Sequence, residues 1–459
     1  MSRLGNGRPF ARAPAVVLAC GLLLGGGTAC TDRLRIDNVK VARRDAATAT
    51  VKFDIAWWNP WRHGDFHDAA WVFFKVRADE KSDWQHVRLA ADKVLNPTGY
   101  GQEKGGTPLD FVVPDGEDGF LGMFVRRAEY GVGKVAATNV TAVWDLTANK
   151  GIEDIKKVRI QAFGIEMVFV PEGPFYLGSG GTERNHFYTY TDGTQHTLPY
   201  RVTGHGAIPT GRQDGRLWAR KGAQPEDGGE IPASFPNGYA AFYCMKYHIS
   251  QAQYAGFLNT LTAEQAQARY AEKSGITPAG KAPNYTYTPE HPNRNCQSQS
   301  WADAAAFGAW AALRPMTELE FEKISRGPME PGWDTGDELD HPSYWGVEGW
   351  CGWRVLTEHP VTVANATGRR FRGTHGRGTP TLPADWPRHD AVGAGIRCSP
   401  FALTRISAAD ISRQATRDDL LDMPRARLSD RFYAAFVCPD RHPRFRWRGV
   451  RSAPKGVGP

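Results

Sequence analysis

Short apolar runs, some alternating with polar positions and some continuous, dominate the chain from residue 34 to residue 162. Seven of them are LRIDNVKV, TATVKFDIAWW, AAWVFFKVRA, WQHVRLA, GMFVRRA, VTAVWDL and VRIQAF. Turn-forming residues such as Asn59-Pro60 and Pro114-Asp115-Gly116 lie between them. A period of two in runs rich in β-branched and aromatic residues predicts antiparallel strands. We therefore predict an N-terminal all-β sandwich, immunoglobulin-like, over residues 30–162.

The pattern changes from residue 163 onward to long irregular stretches with a few helical periods. Apolar residues three and four positions apart predict a helix over 250–261. Ser300 followed by Asp303, and Thr317 followed by Glu320, have capping-box spacing and predict two further helix starts. We therefore predict an α+β, loop-rich domain over 163–454, followed by a short tail at 455–459.

The N-terminus has the pattern of an export signal. Three arginines precede an apolar stretch at 13–26, and small residues then lead to Cys30. The pattern resembles bacterial lipoprotein signals and predicts a signal peptide at 1–29, lipidation of Cys30 and a lipid-anchored protein of the cell envelope, at the outer membrane or cell surface. A plain cleaved signal, an uncleaved anchor and processing before Cys20 are the alternatives.

Composition limits the function classes. The chain has 459 residues, of which 41% are hydrophobic and 23% charged, as in ordinary globular proteins. Its formal charge of +7 falls to +4 when the three leader arginines are removed. This charge is modest for the size and no nucleic-acid module is present, so we expect no specific nucleic-acid partner.

Several motifs follow one another in the order typical of a known family. They are MVFVPEGPFYLGSGG at 167–181, FYCMKYHISQAQY at 242–254, SWADA at 300–304, RPMTELEFE at 314–322, DW at 385–386, AVGAGIR at 391–397, RLSDR at 427–431 and RGVR at 448–451. Together they resemble the formylglycine-generating-enzyme, or sulfatase-modifying-factor, family, whose fold is related to C-type lectins. The resemblance implies this fold for residues 163–454.

The resemblance also implies a chemistry that this chain departs from. Enzymes of the family oxidise a protein cysteine to formylglycine, using copper held by two thiolates that follow an R-G-G-S-W/Y element. Here that element is RCSPF, and the two thiolate positions hold Leu403 and Ala408. Copper is therefore not expected. Cys398 is the remaining catalytic candidate, and it would need Cys351 or Cys438 as its partner.

A second departure concerns calcium. The family's G-N-V-W-E segment, which supplies calcium ligands, corresponds to 354–358 here, where the glutamate alone is retained. Carboxylate oxygens suit calcium. Glu358 is therefore the candidate ligand for a structural calcium ion, and no other cofactor is expected.

Arginine and aromatic residues concentrate near the C-terminus. Residues 397–451 contain twelve Arg and six Asp, with no Lys or Glu. Arginine suits carboxylates and phosphates and stacks on aromatic rings. The predicted C-terminal Arg/aromatic surface comprises Arg397, Phe401, Arg405, Arg413, Arg417, Phe432, Tyr433, Arg441, Arg444 and Trp447. The alternative is that several of these arginines form internal ion pairs.

Three functions remain open. The first is a non-catalytic binding lipoprotein whose Arg/aromatic surface recognises a protein or glycan, in the manner of variable proteins diversified by retroelements. The second is a formylglycine-generating oxidoreductase acting on protein cysteine. The third is a structural component of an envelope machine.

Overall fold

The computed structural model describes residues 34–64, 66–90, 106–114, 120–181, 183, 185–191, 197–219, 225, 229–331, 342–350, 357–397, 428–434 and 439–458. These residues are mostly β-strand and loop, with four α-helices. The first strands are β1 Leu34–Arg43, β2 Thr48–Trp57, β3 Asp68–Arg77, β4 Gln85–His86, β5 Leu109–Val112, β6 Met123–Arg127, β7 Val135–Asp145 and β8 Arg159–Val170.

Short strands follow, interrupted by the helices. They are β9 Phe175–Leu177, β10 Phe187–Thr189, β11 Tyr200–Val202, β12 Ile208–Pro209, β13 Leu217–Ala219, β14 Glu230–Ile231, β15 Phe242–Met245, β16 Ile276–Lys281, β17 Asn284–Pro289, β18 Arg314–Pro315, β19 His359–Thr362, β20 Ala394–Arg397 and β21 Gly449–Ser452. The helices are α1 Gln251–Leu258, α2 Ala263–Arg269, α3 Trp301–Trp310 and α4 Glu318–Arg326, with 3-10 turns at Leu146–Ala148 and Gly368–Arg370.

One large sheet joins the two halves of the described chain. It runs in the order β18-β21-β15-β8-β3-β6-β5, with β4 also paired to β3. A smaller sheet, β1-β2-β7, packs against it, and Phe53 and Phe74 meet across the gap with ring centroids 5.6 Å apart. The predicted boundary at 162/163 falls inside β8, whose register with β3 runs from Arg159 to Val168. A separate sandwich module over 30–162 therefore stays a prediction.

Strand β3 is buried on both faces. Trp71 and Phe73 point into a core shared with α1 and α3, while Val72 and Phe74 point into the core shared with β2 and β7. Side chains alternate across a strand, so an uninterrupted apolar run fills two cores at once. This explains why the run AAWVFFKV lacks the polar face that a surface strand would have.

The helix starts follow from local capping. Both predicted starts are confirmed, because Ser300 and Thr317 cap α3 and α4 through reciprocal bonds with Asp303 and Glu320. The helix predicted over 250–261 ends earlier, at Leu258, and a separate helix α2 that the sequence analysis missed follows it. No helix within the described ranges has the length and apolar run needed to cross a bilayer.

Candidate functional site

A polar cleft of about 250 Å³ opens beside the junction between β8 and the segment that follows β15. The cleft is lined by Leu34, Gly164, Ile165, Glu166, Tyr247, His248, Ser250, Gln253, Asn293, Asn295, Glu348 and Gly349. We call it the His248 cleft. Its described lining contains two carboxylates and no lysine or arginine.

The wall of the cleft is fixed by the main chain. Lys246 N donates to Glu166 O at 2.8 Å, and Glu348 N donates to Lys246 O at 3.0 Å, so three distant segments are held side by side. Lys246 itself turns inward and pairs with the buried Asp68 at 2.7 Å. Ser250 then caps α1 and accepts from Gln253 N. The Glu166 and Glu348 side chains are thereby positioned on neighbouring parts of one wall.

His248 lies in this wall, and within the described part of the chain one of its ring nitrogens has a hydrogen-bond partner and the other has none. Its side chain is 4% exposed, and Nδ1 lies 3.3 Å from Nη2 of Arg448. A guanidinium can only donate, so Nδ1 accepts and the ring proton belongs on Nε2. Nε2 is buried and has no hydrogen-bond partner among the described residues. A buried N–H without an acceptor is costly, which makes it a marker for a missing ligand or water.

Arg448 holds His248 from behind. Its guanidinium donates to four main-chain carbonyls, those of Met245, Lys246, Glu348 and Gly349. Burial lowers the pKa of Arg448 to about 10, so the group stays charged at neutral pH. Burial and the Arg448 charge together hold the pKa of His248 well below its ordinary value, so the ring is neutral. His248 is therefore neutral, with its ring proton on the buried Nε2.

Other histidines are also buried in the neutral form. Burial is the largest cause of the lowered pKa in each, reaching about 2 for His67 and about 3 for His359. The pKa is lowered in this way for His67, His86, His248 and His359. His67, His86 and His359 have hydrogen-bond partners in Tyr243, Leu121 and Trp350, and His248 differs by lining an open cleft.

Two members of the predicted Arg/aromatic surface are not on the surface. Arg397 is 0% exposed, and its guanidinium donates to Glu322 Oε1 at 2.8 Å and to Leu428 O at 2.6 Å. Trp447 is 1% exposed and belongs to the core packed around α3. The prediction of surface exposure is wrong for both, because their acidic and aromatic partners come from segments far away in sequence.

Arg397 belongs to a buried ionic network. Its Nη1 also lies 3.5 Å from Glu318, which in turn pairs with Arg431 at 2.7 Å. Arg326 completes the network by pairing with Glu322 at 2.5 Å. Burial alone would raise the pKa of Glu322, but the attraction of Arg397 and Arg326 and their hydrogen bonds lower it. The alternative of internal ion pairs thus holds for this part of the segment.

The other described members of the predicted Arg/aromatic surface contact different parts of the structure. Phe432 is 46% exposed and packs edge-on against Tyr433, with ring centroids 4.9 Å apart. Arg441 is partly exposed and pairs with Asp303 at 2.8 Å, and Arg444 is half-buried. Phe401, Arg405, Arg413 and Arg417 lie outside the described residues.

The two described thiols are Cys244 and Cys296, which we call the two buried thiols. Both are free and buried, and they belong to different core clusters. Burial raises the pKa of Cys244 to about 12 and raises that of Cys296 as well, so both remain protonated. Copper(I) needs thiolate ligands, and these two thiols do not fit it. Cys30, Cys351, Cys398 and Cys438 lie outside the described residues.

Glu358 is buried beside a histidine. Its Oε2 lies 3.2 Å from Nδ1 of His442, and its main chain pairs with Arg444 and Arg446. In the described part of the chain, no group of three or more His, Cys, Asp or Glu is placed to hold a metal. One carboxylate and one imidazole do not match the six to eight oxygens that calcium prefers. The calcium assignment stays a prediction.

The His248 cleft was missed by sequence reasoning. Its lining comes from β1, β8, the β15–α1 connection, α1 itself and the segments at 293–295 and 348–349. The run FYCMKYHISQAQY contributes to the resemblance to the family, but nothing in it indicates a cleft. A single histidine before a helix cap does not by itself predict a binding site.

The fold and its buried polar network define a mostly β, loop-rich domain with short capped helices. Residues 154–369 match the family described as the Sulfatase-modifying factor enzyme 1-like domain. The chain therefore contains a domain of the formylglycine-generating-enzyme, or sulfatase-modifying-factor, family, as the motifs predicted. The match begins nine residues before the predicted boundary at 163 and ends before the motifs at 385–451. No protein with a curated description matched the chain.

Proposed function

We propose that this protein is a non-catalytic binding protein of the cell envelope that uses a sulfatase-modifying-factor domain as a recognition scaffold. The two positions at which the family places its copper thiolates hold Leu403 and Ala408. The two buried thiols are protonated and lie in separate cores. The observation that carries the proposal is the presence of Leu403 and Ala408 at the family's two thiolate positions, since thiolates are what copper(I) requires.

The envelope location rests on the leader. Three arginines, an apolar stretch and small residues before Cys30 support export followed by lipid anchoring. In this proposal, residues 30–162 form an immunoglobulin-like sandwich that carries the recognition domain. Fractionation of cells expressing the full chain and its Cys30→Ser variant tests it. The wild type is expected with the membranes and the variant in the soluble exported fraction.

The C-terminal segment supplies part of the proposed recognition surface. Phe432 is exposed, and Arg441 and Arg444 retain partial exposure, so they are available to a protein or glycan partner. Arg397 and Trp447 are excluded from it. The proposal includes diversification of this segment by a retroelement. A genome without a reverse transcriptase and a near-copy of the 3′ coding segment would contradict that part.

Copper chemistry provides the decisive experiment. The full chain is titrated with copper(I) under anaerobic conditions and then incubated with a cysteine-containing peptide and oxygen. We expect no stoichiometric copper binding and no conversion of the cysteine. Stoichiometric binding that Cys398→Ser abolishes, together with turnover, would establish the oxidoreductase instead. Cys296→Ser is the matched control, because that thiol is buried in the core packed around α1 and α3.

A further inference from the structure

We propose that one end of the smaller sheet rests on the surface of a phospholipid bilayer through an exposed patch formed by Trp58, Tyr130 and Val132, which we call the Trp58 patch. This inference rests on the proposed function, because a lipoprotein of the envelope has a bilayer beside it. It assigns a second membrane contact, separate from the lipid anchor, that orients the protein on the membrane. The Trp58 patch shares no residue with the His248 cleft or the Arg/aromatic surface.

The Trp58 patch contains the three most exposed large apolar or aromatic side chains in the described part of the chain. Trp58 is 61% exposed, Tyr130 is 67% exposed and Val132 is 71% exposed. The other large apolar side chains that the structure describes as exposed lie in other segments; they are Leu198, Met329, Tyr344, Val392 and Phe432. A single exposed apolar residue is normal, whereas several together indicate an interaction site.

Two segments that run side by side bring these side chains to the same end of the smaller sheet. Trp57, the last residue of β2, pairs with Val135, the first residue of β7. Further from the sheet, Arg62 and Gly131 exchange main-chain hydrogen bonds of 2.9 and 3.0 Å. One member of the Trp58 patch follows the first pair, and the other two flank the second. Five residues of extended chain span at most about 18 Å, so all three lie in one small region.

The second of these segments is held in a fixed position. Arg62 Nη1 donates to two main-chain carbonyls of the turn that follows β6, at 2.8 and 2.9 Å, and its Cζ lies 5.9 Å from the centre of the Tyr130 ring. The chain turns on either side of Val132 through Gly131 and Gly133, whose φ angles of 147° and 107° favour glycine. The Trp58 patch is therefore formed before any partner binds, which lowers the entropy lost on binding.

The side chains and charges of the two segments favour an anionic bilayer surface. Tryptophan and tyrosine combine an apolar ring with a polar N–H or O–H, and both are enriched where hydrocarbon meets water. Residues 57–62 and 127–135 carry a net charge of +2; their charged residues are Arg62, Arg127, Lys134 and Glu129. Two neighbouring ion pairs add no net charge; they are Arg35–Asp37 and Arg126–Asp110. Lys134 Nζ lies 5.3 Å from the centre of the Trp58 ring, so a ring in the interface would bring this cation to the phosphates.

The start of β1 lies at the same end of the sheet as the Trp58 patch. Leu34 pairs with Trp57, and neighbouring strands lie about 4.8 Å apart. Leu34 follows Cys30 by four residues, which span at most about 14 Å when extended. A lipid attached to Cys30 would therefore keep the Trp58 patch within reach of the headgroups. A tether alone leaves the protein free to rotate, whereas a second contact fixes its orientation.

Vesicle sedimentation tests the inference without the lipid anchor. The Cys30→Ser variant, recovered as soluble protein, is mixed with phosphatidylcholine vesicles with or without phosphatidylglycerol, and the bound fraction is measured against lipid concentration. We expect reversible binding at millimolar lipid that is tighter when phosphatidylglycerol is present. Binding of this strength is too weak to retain the variant on membranes in cells, in agreement with the fractionation expected above. No binding to either kind of vesicle would overturn the inference.

Variants in the Cys30→Ser background locate the contact. Trp58→Ser removes the largest ring of the Trp58 patch, so it should weaken vesicle binding about tenfold. The matched control is Leu198→Ser, because Leu198 is also exposed but precedes β11, which does not pair within the smaller sheet. The control should bind as the parent does. Equal weakening by both variants, or by neither, would overturn the inference, and comparable thermal melting confirms that each variant retains the fold.

Fluorescence gives a second test of the same contact. Bromine-labelled phosphatidylcholine quenches a tryptophan that enters the boundary between headgroups and acyl chains. We expect quenching in the Cys30→Ser variant that is lost when Trp58→Phe is added, because phenylalanine keeps the apolar contact and removes the emitting ring. Quenching that Trp58→Phe leaves unchanged would belong to another tryptophan and would overturn the inference.

The remaining outcomes separate this inference from its competitors and from the proposed function. Concentration-dependent dimerisation that Trp58→Ser abolishes, without vesicle binding, would replace the bilayer by a second copy of the chain. Turnover of a cysteine peptide, or a wild type that does not fractionate with membranes, would overturn the proposed function while vesicle binding through the Trp58 patch stands. Membrane fractionation of the wild type without vesicle binding by the Cys30→Ser variant would overturn this inference alone.

Discussion

Replacement of Arg397 by alanine tests whether this residue is a structural element or a ligand contact. Arg397 is fully buried and contributes charge to two carboxylates of α4, lying 2.8 Å from Glu322 and 3.5 Å from Glu318. It also donates to the carbonyl of Leu428. Its removal would leave one carbonyl without this donor and two acids with less compensation, in addition to an empty volume.

The expected loss in the free energy of unfolding depends on the ion pairs that remain in the variant. Removing one partner of a buried ion pair costs about 3–5 kcal/mol. Arg326 still pairs with Glu322 and Arg431 still pairs with Glu318. We therefore expect a loss near the lower end, about 3 kcal/mol in the free energy of unfolding.

Urea denaturation followed by tryptophan fluorescence measures this loss. The control is Arg159→Ala, because Arg159 also pairs with an acid, Glu80, but both of these side chains are exposed. Exposed pairs contribute about 1 kcal/mol or less. A loss below about 1 kcal/mol for Arg397→Ala, equal to the control, would refute the network's role and return Arg397 to the surface hypothesis.

Three further predictions concern packing, pH and thiol reactivity. A Cβ on Gly308 would lie 2.4 Å from the Trp447 ring, so Gly308→Ala should cost about 1–3 kcal/mol in chemical denaturation, while Gly204→Ala, with open space around it, should not. The folded pKa of His359 is lowered from 6.5 to about 3, so its contribution to stability is present above pH 6.5 and is lost as the pH falls toward 3. Between pH 7.5 and 5 we expect this residue to account for a loss of about 2 kcal/mol, and constant stability over that range would contradict its neutral burial. The two buried thiols should react with an alkylating reagent about a thousandfold more slowly in the native state than in guanidinium. Peptide mapping by mass spectrometry measures the two rates. Rapid alkylation in the native state would contradict the burial of these thiols.

Local features of the fold were predictable from the sequence. The starts of α3 and α4 were found because a capping box involves residues only three positions apart. The N-terminal strands were found from their alternation, although β5 was missed. A strand of four residues carries too few alternating positions to be separated from a loop.

Long-range features were not predictable. Arg397 was assigned to the surface because charged side chains are rarely buried without partners, and its partner Glu322 lies 75 residues earlier. The His248 cleft likewise depends on the close approach of segments from Leu34 to Gly349. No local pattern encodes such a meeting, so the candidate site became visible only in three dimensions.

Strand β8 continues without a break across the predicted domain boundary, and this determines how force passes along the chain. Its first half contacts the core beneath the small sheet, and its second half contacts the cores around α1 and α4. Because the strand is continuous, the chain has no hinge at residue 163. A fragment that begins there would expose an unpaired strand edge, which favours self-association. Tension applied at the N-terminal end would therefore be transmitted along β8 into the sulfatase-modifying-factor domain rather than absorbed by a flexible joint.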